Sequence, residues 1–231
     1  ASGAKVIGLV TDVSDAAQVQ ALADAAVERF GAIHIACNNA GVGAGGLSWE
    51  APLSTWEWVL GVNLWGVIHG LRAFVPILMQ QSQAYVVNTA SIAGVVAGPF
   101  MAPYNASKHA VVALSETLHH EMAMMAPQVK VSVLCPGWVR TRIADSARNR
   151  PDESAEDAAG ESVLSGLLHT LVDKGMSSDE VATKVLAAIR AEQFWIFPHD
   201  APGNFWTDFV NERAQSLADR TNPVMRSPLT G

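Results

Sequence analysis

The chain has 231 residues, 49% hydrophobic and 16% charged, which is enough apolar material for one well-packed α/β domain and excludes a disordered segment. Its formal charge of −7 excludes a general attraction to nucleic acid or anionic lipid, and no run of Lys or Arg supplies a local one. Cys37 and Cys135 sit in or at the end of apolar runs, where each is expected as a free, small hydrophobe rather than half of a disulfide.

Residues 5–10 form a short, partly β-branched run that predicts a strand, and Val19, Leu22, Ala26 and Phe30 then recur at helical spacing over 14–30. A second strand is expected over 33–37, then a glycine-rich loop over 38–47. Ser54 and Glu57 form a capping-box pattern that opens a long helix to about Met79. A strand over 84–89, a helix over 104–125 and a strand over 129–135, closed by Pro136 and Gly137, continue the alternation. Beyond Arg142 the sequence turns polar. A helix follows from about Ser177, with a second capping box to Glu180, and a last short strand over 194–197. Strands alternating with helices predict a Rossmann-like, doubly wound parallel sheet, a three-layer α/β/α fold in one domain. Within it, 1–141 reads as the core and 142–231 as substrate lid and C-terminal elements, with 148–160 the mobile part. The first residues lack a secretion signal and no apolar run reaches the roughly 18–20 residues of a membrane span, so a cytoplasmic location without a membrane partner is expected.

Tyr104 and Lys108 are four apart at the start of a predicted helix, so both side chains share one face a single turn apart. A free phenol, with a pKa of about 10, is a poor base at neutral pH, and an adjacent ammonium is expected to make Tyr104 acidic enough to carry a proton. Ser91 follows the strand over 84–89, at the carboxyl end where open α/β sheets place their ligands. Asn38-Asn39-Ala40-Gly41, Asn63-Leu64-Trp65-Gly66 and Pro136-Gly137-Trp138-Val139-Arg140-Thr141 complete the pattern.

These elements, in this order and spacing over roughly 5–141, resemble the classical short-chain dehydrogenase/reductase family. The resemblance implies an oxidoreductase that interconverts a secondary alcohol and a ketone with NAD or NADP, NAD being preferred here. It implies catalytic roles for Asn63, Ser91, Tyr104 and Lys108, with Asn63 supporting a proton relay. Cofactor contacts are implied for Asp12, Val13, Asn39, Ala40, Gly41, Tyr104, Lys108, Pro136, Gly137, Val139 and Thr141. Ser91, Tyr104, Phe100, Met101 and Trp138 are expected around the substrate; the last three make a hydrophobic or aromatic alcohol the better fit. The family also pairs its two long helices across a twofold axis, so a homodimer or homotetramer is expected.

The family's glycine motif and its first two strands have no counterpart before Asp12, which leads us to expect an N-terminal truncation or omitted residues. A literal G-x-G-x-x-G at Gly41, Gly43 and Gly46 does not open directly into a helix and is not read as a phosphate loop. His34, His109, His119 and His120 lack metal-ligand spacing, so no metal is expected. A serine hydrolase is disfavoured because no G-x-S-x-G elbow surrounds Ser91. A non-catalytic binding protein on the same fold is the alternative reading.

Overall fold

Asp15 opens the first helix, α1 (Ala16–Phe30): its carboxylate accepts hydrogen bonds from the Ala17 and Gln18 amides, and Gly31 closes the helix at φ 82°. In this computed structural model, which describes residues 3–151, 166, 168–199 and 205–223, β1 (Ile35–Asn38) follows. Then come α2 (Leu53–Leu60), a π turn (Gly61–Trp65) and α3 (Gly66–Leu78), stacked into one long rod. After it come β2 (Ala84–Thr89), α4 (Ala102–Met125) and β3 (Val129–Leu134). The chain continues through β4 (Val139–Arg140), a 3₁₀ segment (Ile143–Asn149), β5 (Met176–Ser177), α5 (Ser178–Arg190), β6 (Trp195–Ile196) and α6 (Phe205–Asp219).

Four strands pair in parallel in the order β1-β2-β3-β6, while β4 and β5 form a separate parallel ladder. Side chains alternate across the sheet, and the two faces are covered differently. Val86 and Val131 pack with Leu78, Leu118 and Met122 from α3 and α4, whereas Tyr85, Val87 and Leu134 pack with Val181 and Ala188 from α5. Helices on both faces establish the expected Rossmann-like α/β architecture. Between β2 and β1 the buried polar chain Asn38 Nδ2 to Asn88 Oδ1 (2.8 Å) and Asn88 Nδ2 to Ser115 Oγ (3.0 Å) ties the sheet to α4.

Several expectations need correction. Residues 5–10 form no strand: no described strand lies beside them to satisfy their backbone, and Val6 and Val10 are exposed. The Ser54/Glu57 capping box does not form. Pro52 caps the helix, the Thr55 amide donates to the Pro52 carbonyl at 3.0 Å, and Ser54 falls inside the first turn. The second box forms as expected, with Glu180 N donating to Ser177 Oγ and Ser177 N to the Glu180 carboxylate. α4 begins two residues before Tyr104, at Ala102. The run Leu53–Leu78 is long and apolar enough to cross a membrane by length and composition, contrary to expectation. It packs against α1, α4 and the sheet, with Val67, Ala73 and Leu78 buried. Most of 148–160, read as mobile, lies outside the described residues. Both cysteines are free, as expected.

Candidate active site

Because β1, β2, β3 and β6 are parallel, their carboxyl ends lie along one edge, and the segments leaving them meet there. Ser91 leaves β2 in an extended conformation and caps a short 3₁₀ turn, Ile92–Gly94. Its Oγ accepts from the Ala93 amide at 3.1 Å and lies 3.4 Å from the Pro136 carbonyl, to which it donates. The Ile92 amide donates to the same carbonyl at 2.9 Å, so the exits from β2 and β3 are joined.

Pro103 lies in the first turn of α4, where its missing amide costs nothing, and its fixed φ suits the helix start that aims Tyr104 and Lys108 at this edge. Lys108 is only 3% exposed; its Nζ donates to the Thr89 carbonyl at 2.9 Å and lies 5.6 Å from the Tyr104 ring centroid. Burial pushes the Lys108 ammonium from 10.5 down to about 8, with the Cys135 thiol acting weakly in the other direction. The Tyr104 phenol is pushed above its ordinary value, first by burial, while the neighbouring Ser91 hydroxyl works downward. The expectation that Lys108 makes the phenol acidic is therefore not met: the ammonium is engaged by Thr89, and burial disfavours the phenolate more strongly. Gly94 is required here, because a Cβ would stand 2.6 Å from the Lys108 carbonyl oxygen.

Asn63 occupies the π turn, a feature that commonly marks functional sites. It is fully buried; its Oδ1 accepts from the Val42 amide at 2.8 Å, and its Nδ2 donates to the Val42 carbonyl at 2.9 Å and Ser107 Oγ at 3.2 Å. One amide side chain thus fastens the loop after β1 to the helix that carries Tyr104 and Lys108. Ser107 completes the link by donating to the Tyr104 carbonyl at 2.7 Å. A Cβ on Gly41 would lie 3.4 Å from Asn63 Oδ1 and 3.6 Å from Lys108 Nζ, so Gly41 borders the same cluster.

Asn39 and Ala40 are exposed beside Gly41, and Asn39 Oδ1 accepts from Thr89 Oγ1 at 2.9 Å. Asp12 is exposed and turns the chain into α1, its carboxylate accepting from the Ser14 amide and hydroxyl at 2.9 and 2.7 Å. The Val13 carbonyl is held by His69 Nδ1 at 2.9 Å. Pro136 and Gly137 leave β3 at the same edge as Ser91; Val139 enters the ladder with Met176, and Thr141 Oγ1 accepts from the Ile143 amide at 3.3 Å. Phe100 is 43% exposed and holds φ at 64°, a region that non-glycine residues avoid; its carbonyl accepts from the Gly46 amide at 2.7 Å. Met101 bridges to Gly46, whereas Trp138 belongs to the turn after β3. None of Phe100, Met101 and Trp138 lines the described cavity of about 210 Å³, whose walls include Ile92, Cys135, Gly137, Phe197 and His199. The literal G-x-G-x-x-G remains a loop, and the next helix starts only at Leu53.

Sequence reasoning passed over His199 and Ser146. His199 meets the turn after β3, while Ser146 Oγ accepts from the Gly43 amide at 2.9 Å and links the loop after β1 to the 3₁₀ segment. Neither sits in a motif; only the neighbouring strand exits bring them in. Among the described residues no group of His, Cys, Asp and Glu is arranged to hold a metal.

This fold and edge-side cluster define a dinucleotide-type oxidoreductase. Residues 1–152 match the short chain dehydrogenase family, and the chain belongs to that family as an oxidoreductase acting on CH–OH groups. It is 38% identical over 230 residues to 1-deoxy-11-beta-hydroxypentalenate dehydrogenase of Streptomyces avermitilis, covering 98% of this chain and 74% of that protein. A CLA biosynthesis dehydrogenase/reductase of Lactiplantibacillus plantarum is 32% identical over 204 residues, covering 85% and 71% respectively. A short-chain dehydrogenase/reductase from Burkholderia phymatum, solved in complex with NAD, superposes with a TM-score of 0.89 at 44% identity; the match covers 98% of this chain and 81% of that one.

Proposed function

We propose that the chain interconverts a hydrophobic or aromatic secondary alcohol and its ketone, with NAD as cofactor and with Ser91, Tyr104 and Lys108 as its catalytic residues. The observation that carries the reading is the gathering of these three side chains at the carboxyl edge of a parallel sheet, with Ser91 at the exit of β2, Tyr104 in the first turn of α4 and the Lys108 ammonium 5.6 Å from the Tyr104 ring centroid. The surroundings fit a nicotinamide dinucleotide. Asn39 and Ala40 are exposed beside Gly41, whose missing Cβ leaves room at Lys108, and Pro136 and Gly137 flank Ser91 from the neighbouring strand. NAD is favoured over NADP because the 44% identical Burkholderia phymatum protein was solved with NAD.

A bound nicotinamide cofactor would supply the acceptor or donor of the hydride at the carbinol carbon. Asn39, Ala40, Gly41, Pro136, Gly137, Val139 and Thr141 would hold it, with Asp12 and Val13 at its far end. Ser91 Oγ and Tyr104 Oη hold the substrate oxygen by hydrogen bonds. In the reducing direction Tyr104 Oη gives its proton to that oxygen, and in the oxidising direction it takes the proton back. The upward push on the phenol keeps this proton in place at neutral pH. Lys108, charged below about pH 8 and held on the Thr89 carbonyl beside the Tyr104 ring, would offer its ammonium to the cofactor. Asn63 positions α4 against the cofactor-side loop. Phe100 and Met101 offer an apolar surface to the substrate, while exposed Trp65, Met124 and Met125 on the two long helices support association into a homodimer or homotetramer.

The test is titration with NADH and NADPH by nicotinamide fluorescence, followed by turnover assays on a panel of aliphatic, aromatic and polyhydroxylated secondary alcohols. Saturable NADH binding with turnover of the apolar members is expected. Absence of binding to either cofactor, both by this chain and by a well-folded form extended with the family's glycine-rich strand, overturns the reading in favour of a non-catalytic binding module.

A further inference from the structure

The exits from two neighbouring strands are locked together by a side chain outside every motif. β3 and β6 run parallel, with Leu134 in register with Ile196; three residues beyond this pair lie Gly137, past the end of β3, and His199, past the end of β6. Pro198, fully buried, and Trp195 and Phe197, stacked with ring centroids 5.7 Å apart, fix the course of the chain into His199. The Gly137 amide donates to His199 Nδ1 at 3.1 Å, and His199 Nε2 lies 2.8 Å from the Trp138 carbonyl. A carbonyl has no proton to give, so Nε2 carries the hydrogen and Nδ1 is the acceptor: a single neutral tautomer satisfies both bonds.

One imidazole therefore grips the peptide units on either side of the Gly137–Trp138 peptide, beside a glycine that would otherwise be the freest residue of the turn. The opposite edge of the Pro136–Gly137 peptide is held by Ser91 Oγ and the Ile92 amide, which both donate to the Pro136 carbonyl. The Trp138 carbonyl also accepts from the Met176 amide at 3.0 Å, so the grip extends to the β4–β5 ladder. We propose that His199 is a positioning residue for the cofactor: by clamping Gly137 and Trp138 it presets the turn against which the nicotinamide end is held. This inference rests on the dehydrogenase reading above. It adds to that reading a determinant of cofactor affinity that lies 61 residues or more from the turn it controls.

The test exploits the donor and acceptor pattern. Gln has one acceptor and one donor on a planar amide and can replace both ring nitrogens. Phe fills the same volume with neither. Asn keeps an acceptor for the Gly137 amide but is too short to reach the Trp138 carbonyl as well. Kd for NADH, cofactor and substrate KM, kcat, and hydrogen exchange of the Gly137 amide without added cofactor are measured for the natural protein and the three variants. His199→Phe is expected to weaken NADH binding about tenfold, the order of one lost hydrogen bond, and to raise cofactor KM alongside. Gly137 exchange accelerates, substrate KM stays within about twofold, His199→Gln restores near-natural values, and His199→Asn falls between. Unchanged NADH affinity in the Phe variant, or a Gln variant as impaired as Phe, overturns the proposal. Should the Phe variant fold poorly, the Gln and Asn pair carries the same comparison. If neither this chain nor a form extended with the family's glycine-rich strand binds a nicotinamide cofactor, the dehydrogenase reading fails and the cofactor role with it. Failure of this inference alone leaves natural binding and turnover intact.

Discussion

Replacing Lys108 by Met isolates the cost of keeping a charge in the site. The drop of its ammonium from 10.5 to about 8 means that folding disfavours the charged form by about 3 kcal/mol, and at 3% exposure solvent screening does little to reduce this. Below pH 8 both the folded and the unfolded chain keep the proton, so the whole penalty stands. Between pH 8 and 10.5 the unfolded chain holds a proton that the folded chain has released, so the stability of the natural protein rises with pH across that window. At pH 9.5 about 2 kcal/mol of the penalty has been relieved. Met has no proton to lose, although it forfeits the bond to the Thr89 carbonyl, worth about 1 kcal/mol. Urea unfolding at pH 7 should therefore find Lys108→Met more stable than the natural protein by about 2 kcal/mol, with the gap closing by about the same amount at pH 9.5. Turnover should be lost at both pH values. A stability difference that is the same at pH 7 and 9.5 would refute the reasoning, because it would mean that the burial of Lys108 does not penalise its charge.

Three further outcomes are expected. Tyr104→Phe keeps the ring but removes the proton carrier, so kcat should fall by about 10²–10⁴ while the urea midpoint barely moves. Gly94→Ala puts a Cβ 2.6 Å from the Lys108 carbonyl oxygen and 2.9 Å from Val112 Cγ2, and the forced shift should cost about 1–3 kcal/mol in urea unfolding while lowering kcat through displacement of Lys108. Ser177→Ala removes the N-cap of α5; thermal unfolding should drop by about 2–4 °C for a loss of about 1 kcal/mol, with kcat unchanged.

The strands β2 and β3 and the helices α1, α4 and α5 were legible because apolar periodicity and turn residues are local properties. The Ser177/Glu180 box was legible for the same reason: a cap is made by residues three apart. Ser54 and Glu57 carry the same local signal and fail, because Pro52 starts the helix first and places Ser54 within the opening turn. Residues 5–10 have strand composition, but a strand needs a neighbour, and no described strand lies beside them. The helix α6 was missed, and with it Phe209, which packs on Ile92 and Val96 next to Ser91.

The sequence by itself determined the family, the order of most elements, and where Ser91, Tyr104 and Lys108 stand among them, since each motif sits in a short stretch whose spacing dictates which face or strand end it occupies. Only the tertiary structure decided what those groups experience. It shows the phenol raised rather than acidified, because burial outweighs a lysine turned towards Thr89. It also shows Asn63 spent on Val42 and Ser107, and His199 brought to Gly137 by strand register. Desolvation and long-range hydrogen bonds depend on which surfaces meet, and no local spacing encodes that.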